Sequence, residues 1–154
     1  MKVFRAHPNA KLPVKSKPGS RGWDICCISD FILVPGMIQT ISTGLIIQPP
    51  AGTTLEIHAR SGLAVRGVGL VNGVGTIDAS FCGPNDVLSV ILYNQGEHEI
   101  WFKAGDRIAQ FVLVYDLDSI VEEVYVPPSL INRGGLGSTG LSDDLLVDEF
   151  LTHE

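Results

Sequence analysis

Val68–Gly83, VGLVNGVGTIDASFCG, carries the pattern that the rest of the chain repeats. Two short runs rich in β-branched residues, Val68–Val71 and Thr76–Phe81, flank Asn72-Gly73-Val74-Gly75, the residue chemistry of a hairpin or a wide β-turn. Such a turn offers backbone N–H and C=O groups to a ligand. Gly73 and Gly75 remove side chains that would block a flat heterocycle from reaching them. Asp78 is the sole ionisable side chain between Val68 and Phe81, and Phe81 adds a flat apolar face close by. An Asp that satisfies turn backbone beside a core Phe accounts for this pair equally well.

Outward from this stretch the same punctuation recurs. Lys2–Ala6, Phe31–Val34, Ile38–Gln48, Thr54–Ala59, Val87–Asn94, Glu99–Phe102, Ile108–Tyr115 and Ile120–Val126 read as strands, divided by Pro35-Gly36, Pro49-Pro50, Gly83-Pro84 and Ala104-Gly105-Asp106. Many short strands and little helical periodicity before the tail predict an all-β fold, a jelly-roll-like sandwich or barrel. VLSVILY at 87–93 and FVLVY at 111–115 are apolar on nearly consecutive residues. Cover is therefore expected on both faces, and an oligomer would supply it.

At 154 residues, 45% hydrophobic and 18% charged, the chain has material for one domain with a real core. The acidic side chains Asp143, Asp144, Asp148, Glu149 and Glu154 account for all but one unit of the net charge of −6. A nearly neutral body disfavours nucleic acid as a partner, which needs a basic face, and leaves room for a small basic pocket holding one phosphorylated ligand. Cys26, Cys27 and Cys82 are odd in number, and MKVFRAHPNAKLPVK has no apolar export segment, so a reduced, intracellular, soluble protein is expected. The histidines are scattered without zinc-ligand spacing, and no apolar run is long enough to span a bilayer, so no membrane partner is expected.

Four more stretches hold candidate chemistry. In Ser20-Arg21-Gly22-Trp23-Asp24-Ile25 a carboxylate follows a glycine turn, which also suits a plain turn Asp beside a half-buried Trp. Ala59-Arg60-Ser61-Gly62-Leu63-Ala64 follows a strand and reads as one helical turn with Ser61 at the cap, either an anion site or a capped helix with a solvated Arg. In Gly105-Asp106-Arg107-Ile108-Ala109-Gln110, alternation sets Ile108 and Gln110 on one face and Ala109 and Phe111 on the other, with Asp106 and Arg107 holding the turn. Arg133-Gly134-Gly135-Leu136-Gly137-Ser138-Thr139-Gly140 suits a segment that wraps a polyphosphate, or a flexible linker. Beyond it, Leu146, Val147, Phe150 and Leu151 recur at helical spacing behind Ser142, which reads as a short amphipathic helix or as a disordered acidic tail.

GWDI, ARSGLA, NGVGTIDASFCG, GDRIAQ and RGGLGSTG, in this order and across nearly the whole span from Lys2 to Gly140, resemble the motifs of the trimeric dUTP pyrophosphatases (dUTPases). The resemblance implies a distorted jelly-roll β-barrel or sandwich with one short helix, and a homotrimer with C-terminal arm exchange whose sites draw on more than one subunit. It implies three segments: a β-barrel domain at 1–126, a glycine-rich lid at 127–140 and an acidic tail at 141–154. The activity implied is Mg2+-assisted hydrolysis of dUTP to dUMP and pyrophosphate, which limits uracil in DNA and supplies dUMP. Asp78 is then the catalytic carboxylate that orients the attacking water. Asn72, Gly75, Thr76 and Ile77 meet the base and sugar, with Phe81 under the deoxyribose. Arg60, Ser61, Gly62 and Gln110 bind phosphates, as do Arg133, Ser138 and Thr139 from a neighbouring subunit. Asp24 meets Mg2+ through water only.

The chain departs from that family at Phe81, where Tyr is more usual, and at Leu136, where an aromatic is usual. Pro84-Asn85-Asp86 looks like a small insertion, and the interval from Arg133 to Gly137-Ser138 is short. Two other readings share the fold. A dCTP deaminase needs a proton shuttle, usually a Glu, and the 68–83 stretch has none. A non-catalytic binding or regulatory module would tolerate loss of Asp78, Arg60 or Ser61, and all three are present.

Overall fold

A computed structural model of the protein describes residues 1–117, 119–129 and 131. The chain divides into two units, Met1–Asp118 and Ser119–Glu154. The lid residues Arg133, Ser138 and Thr139 and the helical spacing of the acidic tail lie outside the described residues.

The first unit is built of strands: β1 Lys2–Arg5, β2 Trp23–Cys26, β3 Phe31–Leu33, β4 Ile38–Ser42, β5 Leu45–Gln48, β6 Thr53–His58, β7 Val68–Leu70, β8 Gly75–Ile77, β9 Ser89–Asn94, β10 Ile100–Phe102 and β11 Arg107–Tyr115. The helix α1, Ser61–Ala64, stands between β6 and β7. All ladders are antiparallel: a four-stranded sheet in the order β2-β11-β6-β8, a three-stranded sheet β4-β9-β7, and the pairs β1-β5 and β10-β3. The all-β class with one short helix is as expected, and the sheets do not close into a barrel. Ile25, Leu33, Leu55, Leu92, Ile108 and Phe111 are fully buried and belong to one core cluster drawn from all four sheets. Each such side chain contributes ~1.5–3 kcal/mol by leaving water. Cys26 and Cys27 are buried with them, and burial pushes both thiols above their ordinary range, so they stay protonated and unreactive.

Val68–Val71 and Thr76–Phe81 do not form a hairpin. β7 pairs with β9, Leu70 opposite Leu92, whereas β8 pairs with β6, Ile77 opposite Leu55, so the glycine-rich link crosses between sheets. The tight two-residue hairpin turn most typical of Asn-Gly needs positive φ at both central residues. Here Gly73 has φ +67° while Asn72 and Val74 stay negative, and the link is a turn closed by the Gly73 N–H on the Leu70 carbonyl at 3.2 Å. The second run also ends at Ile77, leaving Asp78 to Phe81 outside any strand. Ile120–Val126, expected as a strand, forms none, and Ile120, Val121 and Tyr125 are at least 90% exposed. A β-branched run becomes a strand only where a ladder partner meets it.

The run Ile38–Gln48 is two strands in different sheets, parted at Thr43-Gly44. The buried Thr43 hydroxyl donates to the Leu88 carbonyl at 2.7 Å and accepts the Leu45 N–H at 3.2 Å, which closes the bend from inside. Gly44 has φ +65°, and a Cβ there would lie 2.8 Å from both His7 Cβ and Ile28 Cγ2. Gly44→Ala combines backbone strain with overpacking, so it is expected to lower stability by about 3 kcal/mol. Urea unfolding of the two proteins checks this, and coincident midpoints would refute it.

Candidate active site

β11 is flanked on one edge by β2 and on the other by β6, and this double pairing assembles a polar cluster. Gln110 stands opposite Asp24 on one side and His58 on the other, so all three side chains point to one face of the sheet. Two residues past His58 the chain reaches Arg60, which takes the N-cap position of α1 in an extended conformation with φ −90° and ψ 132°. Ser61 is therefore the first helical residue and not the cap, and no side chain caps this turn. The first N–H groups of a helix have no partner within it, so those of Ser61 and Gly62 remain available to an acceptor. A register shift between Arg107 and Ala109 breaks the expected alternation: Ile108 and Ala109 are both buried, and half-buried Gln110 faces the polar cluster.

Asp24 is 6% exposed and lies at the centre. Its Oδ1 accepts Arg60 Nε–H at 2.8 Å, and its Oδ2 accepts the Ser16 hydroxyl and lies 3.4 Å from Arg107 Nη1. Arg107 Nη1 also donates to Ser16 Oγ at 2.9 Å, and Arg60 Nη1 donates to the Arg107 carbonyl at 3.2 Å. One carboxylate thus faces two guanidiniums, and the cluster carries a net positive charge. Gln110 Nε2 donates to the Ala59 carbonyl at 3.1 Å, while its Oε1 lies over Gly22, where a Cβ would come within 2.5 Å of it. Asp24, Arg60, Ser61, Gly62 and Gln110 line one open cavity of about 160 Å³ together with Ser16, Ser20 and Gly22.

These residues come from three separate stretches, and the fold brings them to one cavity. Ser16, in the cavity wall, and Arg107, on Asp24, join them without having been singled out for the site, as does Ser20, quoted only as the first residue of the Asp24 stretch. Ser16 and Ser20 sit in KSKPGS, a run with the composition of plain loop, and only the isolated bridge between Val14 and Asp24 brings it alongside. Of Asp106 and Arg107, both expected to hold the turn, Asp106 does so by accepting the Lys103 N–H at 2.8 Å, while the Arg107 side chain reaches Ser16 and Asp24.

The other candidates stand apart within one chain. Since Ile77 pairs with Leu55 and Gly75 with Ile57, Asp78 falls beside Thr54, at the end of β6 remote from Arg60. Six residues of strand separate the two ends, roughly 20 Å at the usual rise. Asp78, Asn72 and Thr76 are exposed, Ile77 is half-buried, Gly75 is buried, and the Phe81 ring is 40% exposed. Asn72 folds over Gly75, its Nδ2 lying 3.1 Å from where a Cβ would be. The chain thus presents two separate candidate half-sites: an anion-friendly cavity at one end of the central sheet, and a glycine turn with a carboxylate and an exposed ring at the other.

The dUTPase family profile matches residues 8–140. The deoxyuridine 5'-triphosphate nucleotidohydrolase of Wolinella succinogenes is 35% identical, covering 92% of this chain and 95% of that protein. That of Picosynechococcus sp. is 38% identical over 91% of this chain and 98% of its own length. Among solved structures, the dUTPase of Staphylococcus bacteriophage 80alpha with dUpNHpp superposes with a TM-score of 0.81 at 23% identity, covering 91% of this chain and 98% of that one. A mutant dUTPase from phage phi11 of S. aureus, described with a structural Mg(II) ion, superposes with a TM-score of 0.72 at 20% identity, covering 81% and 96%. The motifs, the fold and the near full-length matches agree, and the chain belongs to the dUTPase family.

Proposed function

We propose that this protein is a dUTP diphosphatase: it hydrolyses dUTP to dUMP and pyrophosphate by attack of water on the α-phosphorus. The observation that carries the reading is the cationic cavity in which Asp24, Arg60, Ser61, Gly62 and Gln110 converge from three of the motifs. A triphosphate brings several negative charges that crowd further as the new bond forms, so the site that helps it is one of donors already in place. Arg60 keeps donors beyond those committed to Asp24 and Arg107, and the Ser61 hydroxyl, the Ser61 and Gly62 N–H groups and the second N–H of Gln110 complete the set.

The second half-site serves the nucleoside. The backbone at Asn72–Gly75 meets the uracil edge, and cytosine, with donor and acceptor exchanged at two ring positions, leaves backbone groups unpaired there. Thr76 and Ile77 continue that wall, and the Phe81 ring packs under the deoxyribose where a 2′-hydroxyl would have no room. Asp78 accepts a proton from, and orients, the attacking water. One copy supplies Asp78 and a second supplies Arg60, a division that their separation within one chain supports, in a homotrimer with sites between subunits. Arg133, Ser138 and Thr139, from the 127–140 lid, close over the outer phosphates.

Magnesium fits this site as an ion carried by substrate. Among the described residues no three His, Cys, Asp or Glu side chains gather to hold a metal, and both Asp24 oxygens already accept from Arg60, Arg107 and Ser16. Asp24 would reach such an ion through bound water, with the triphosphate supplying direct ligands, as suits a cation that keeps part of its hydration shell. When bound, it supplies charge neutralisation across the phosphates.

Incubation with Mg2+ and dUTP, dCTP or UTP, with pyrophosphate and ammonia both assayed, tests the reaction: pyrophosphate from dUTP alone is expected. Ammonia from dCTP would replace the reading with a deaminase. Asp78→Asn should bind a non-hydrolysable dUTP analogue normally and turn over about 100-fold more slowly. Refolding an equal mixture of Asp78→Asn and Arg60→Ala chains should restore activity in about a quarter of the sites, as random assembly of shared sites requires. A mixture no more active than its two components would sink the shared site. Ending the chain after Val126 should nearly abolish turnover, whereas ending it after Gly140 should raise KM. An active protein lacking 127–154 would overturn the lid.

A further inference from the structure

Arg107 is the charged residue of the polar cluster that binding and hydrolysis, as set out above, leave unused. It opens β11 immediately after the turn that Asp106 closes, and the register shift between Arg107 and Ala109 releases its side chain from regular alternation. The guanidinium reaches back to the loop before β2, where Nη1 lies 2.9 Å from Ser16 Oγ and 3.4 Å from Asp24 Oδ2. Its backbone carbonyl meanwhile accepts Arg60 Nη1 at 3.2 Å. Arg107 therefore touches both members of the Arg60–Asp24 pair, one through its side chain and the other through its main chain.

The consequence lies in how that pair is made. Arginine and carboxylate ordinarily close as a fork, two parallel N–H···O bonds that use both oxygens and two guanidinium nitrogens. Here Arg60 meets Asp24 through Nε and Oδ1 alone, because Oδ2 is taken by Ser16 and Arg107. Were Oδ2 free, Arg60 could rotate to fork onto it, spending donors that otherwise face the cavity and leaving a neutral pair in place of a cationic cluster. Side-chain exposure agrees with this division: Asp24 is 8% exposed and Arg60 24%, while Arg107 stays 48% exposed and contacts the pair from outside.

We propose that Arg107 is a positioning residue for the phosphate site: by holding Asp24 Oδ2 and the Arg60 side chain, it keeps Arg60 in a single-point contact that leaves guanidinium donors for an oligophosphate. The identity of the nucleotide rests on the dUTPase reading, but the positioning does not, so inorganic pyrophosphate is the primary probe. Calorimetry with pyrophosphate on the full chain should give an affinity about tenfold weaker for Arg107→Gln than for the unsubstituted protein, since the amide carries no charge to hold Oδ2. Arg107→Lys keeps the charge, but its shorter stem and lack of a fixed planar fork hold Ser16 and Asp24 less firmly, and it should recover part of the loss. With dUTP, KM should rise more than kcat falls in Arg107→Gln. Loss of structure alone would instead lower the folded fraction and apparent kcat together.

Pyrophosphate affinity unchanged in Arg107→Gln overturns the proposal, as does an affinity loss in both variants that merely tracks their folded fraction by near-ultraviolet circular dichroism. Should Arg107→Gln fail to fold, Arg107→Lys decides alone: binding weaker than the unsubstituted protein supports the positioning role of the guanidinium, and equal binding refutes it. A protein that hydrolyses no dUTP but loses pyrophosphate affinity in Arg107→Gln would discard the substrate reading and keep the positioning role.

Discussion

The strand β11 is paired along both edges, and the site depends on that constraint. With β2 on one side and β6 on the other, its backbone can neither shift by one residue nor turn over without moving Phe111 out of the core and Gln110 into it. The same registers set Asp24 and His58 across from Gln110 and deliver Arg60 at the end of β6. Hydrophobic burial thereby fixes a polar geometry: the apolar face of the sheet specifies the register, and the register specifies which charged groups meet on the opposite face. Burying Asp24 is costly unless it is paired, and two guanidiniums and a hydroxyl offset that cost. A body close to neutral can thus hold one small pocket of positive potential without becoming a general anion binder.

β6 also explains why the two half-sites do not meet in one chain. It carries Arg60 beyond its end and β8, leading to Asp78, against its beginning, so the separation follows from the antiparallel pairing itself and not from a loop that could swing. Phe81, Val71 and Val74 add exposed apolar surface around the remote half-site, surface that a single chain leaves in water. The geometry suits the shared site proposed for this chain.

Much of the fold was legible in the sequence because burial leaves a local mark: the β-branched runs and their Gly and Pro boundaries lie close to most observed strands. What periodicity does not carry is the identity of the ladder partner. Val68–Leu70 and Gly75–Ile77 looked like the arms of one hairpin, yet each has a better apolar partner elsewhere, on β9 and β6. Ile38–Gln48 looked continuous because Thr43, at its break, is fully buried, and its hydroxyl is satisfied by a carbonyl distant in sequence. Trp23–Cys26, where the sequence shows a carboxylate after a glycine turn and no strand, is a strand because β11 offers it an edge. The site followed the same division. Asp24, Arg60 and Gln110 stood out through the motifs that resemble the family's, whereas Ser16 and Arg107 gain their place only through a bridge and a register shift that leave no signature in composition.

Two glycines show how closely the backbone serves both half-sites. Gly22 and Gly75 both lack positive φ, so neither is required by a turn, and each instead lies beneath an amide side chain. A Cβ on Gly22 would sit 2.5 Å from Gln110 Oε1, and one on Gly75 would sit 3.1 Å from Asn72 Nδ2 and 3.3 Å from Ile57 Cβ. At Gly22 the obstacle is the tip of a flexible side chain, so the fold could absorb an extra methyl group by displacing Gln110 from the Ala59 carbonyl, with the damage falling on the cavity. At Gly75 the Cβ would also press on Ile57 in the core, and stability would share the cost. In each half-site an absent side chain lets a neutral amide lie flat on the main chain, where it can offer hydrogen bonds without adding charge. The charges at the two ends, Arg60 with Asp24 and then Asp78, thereby stay apart within one chain.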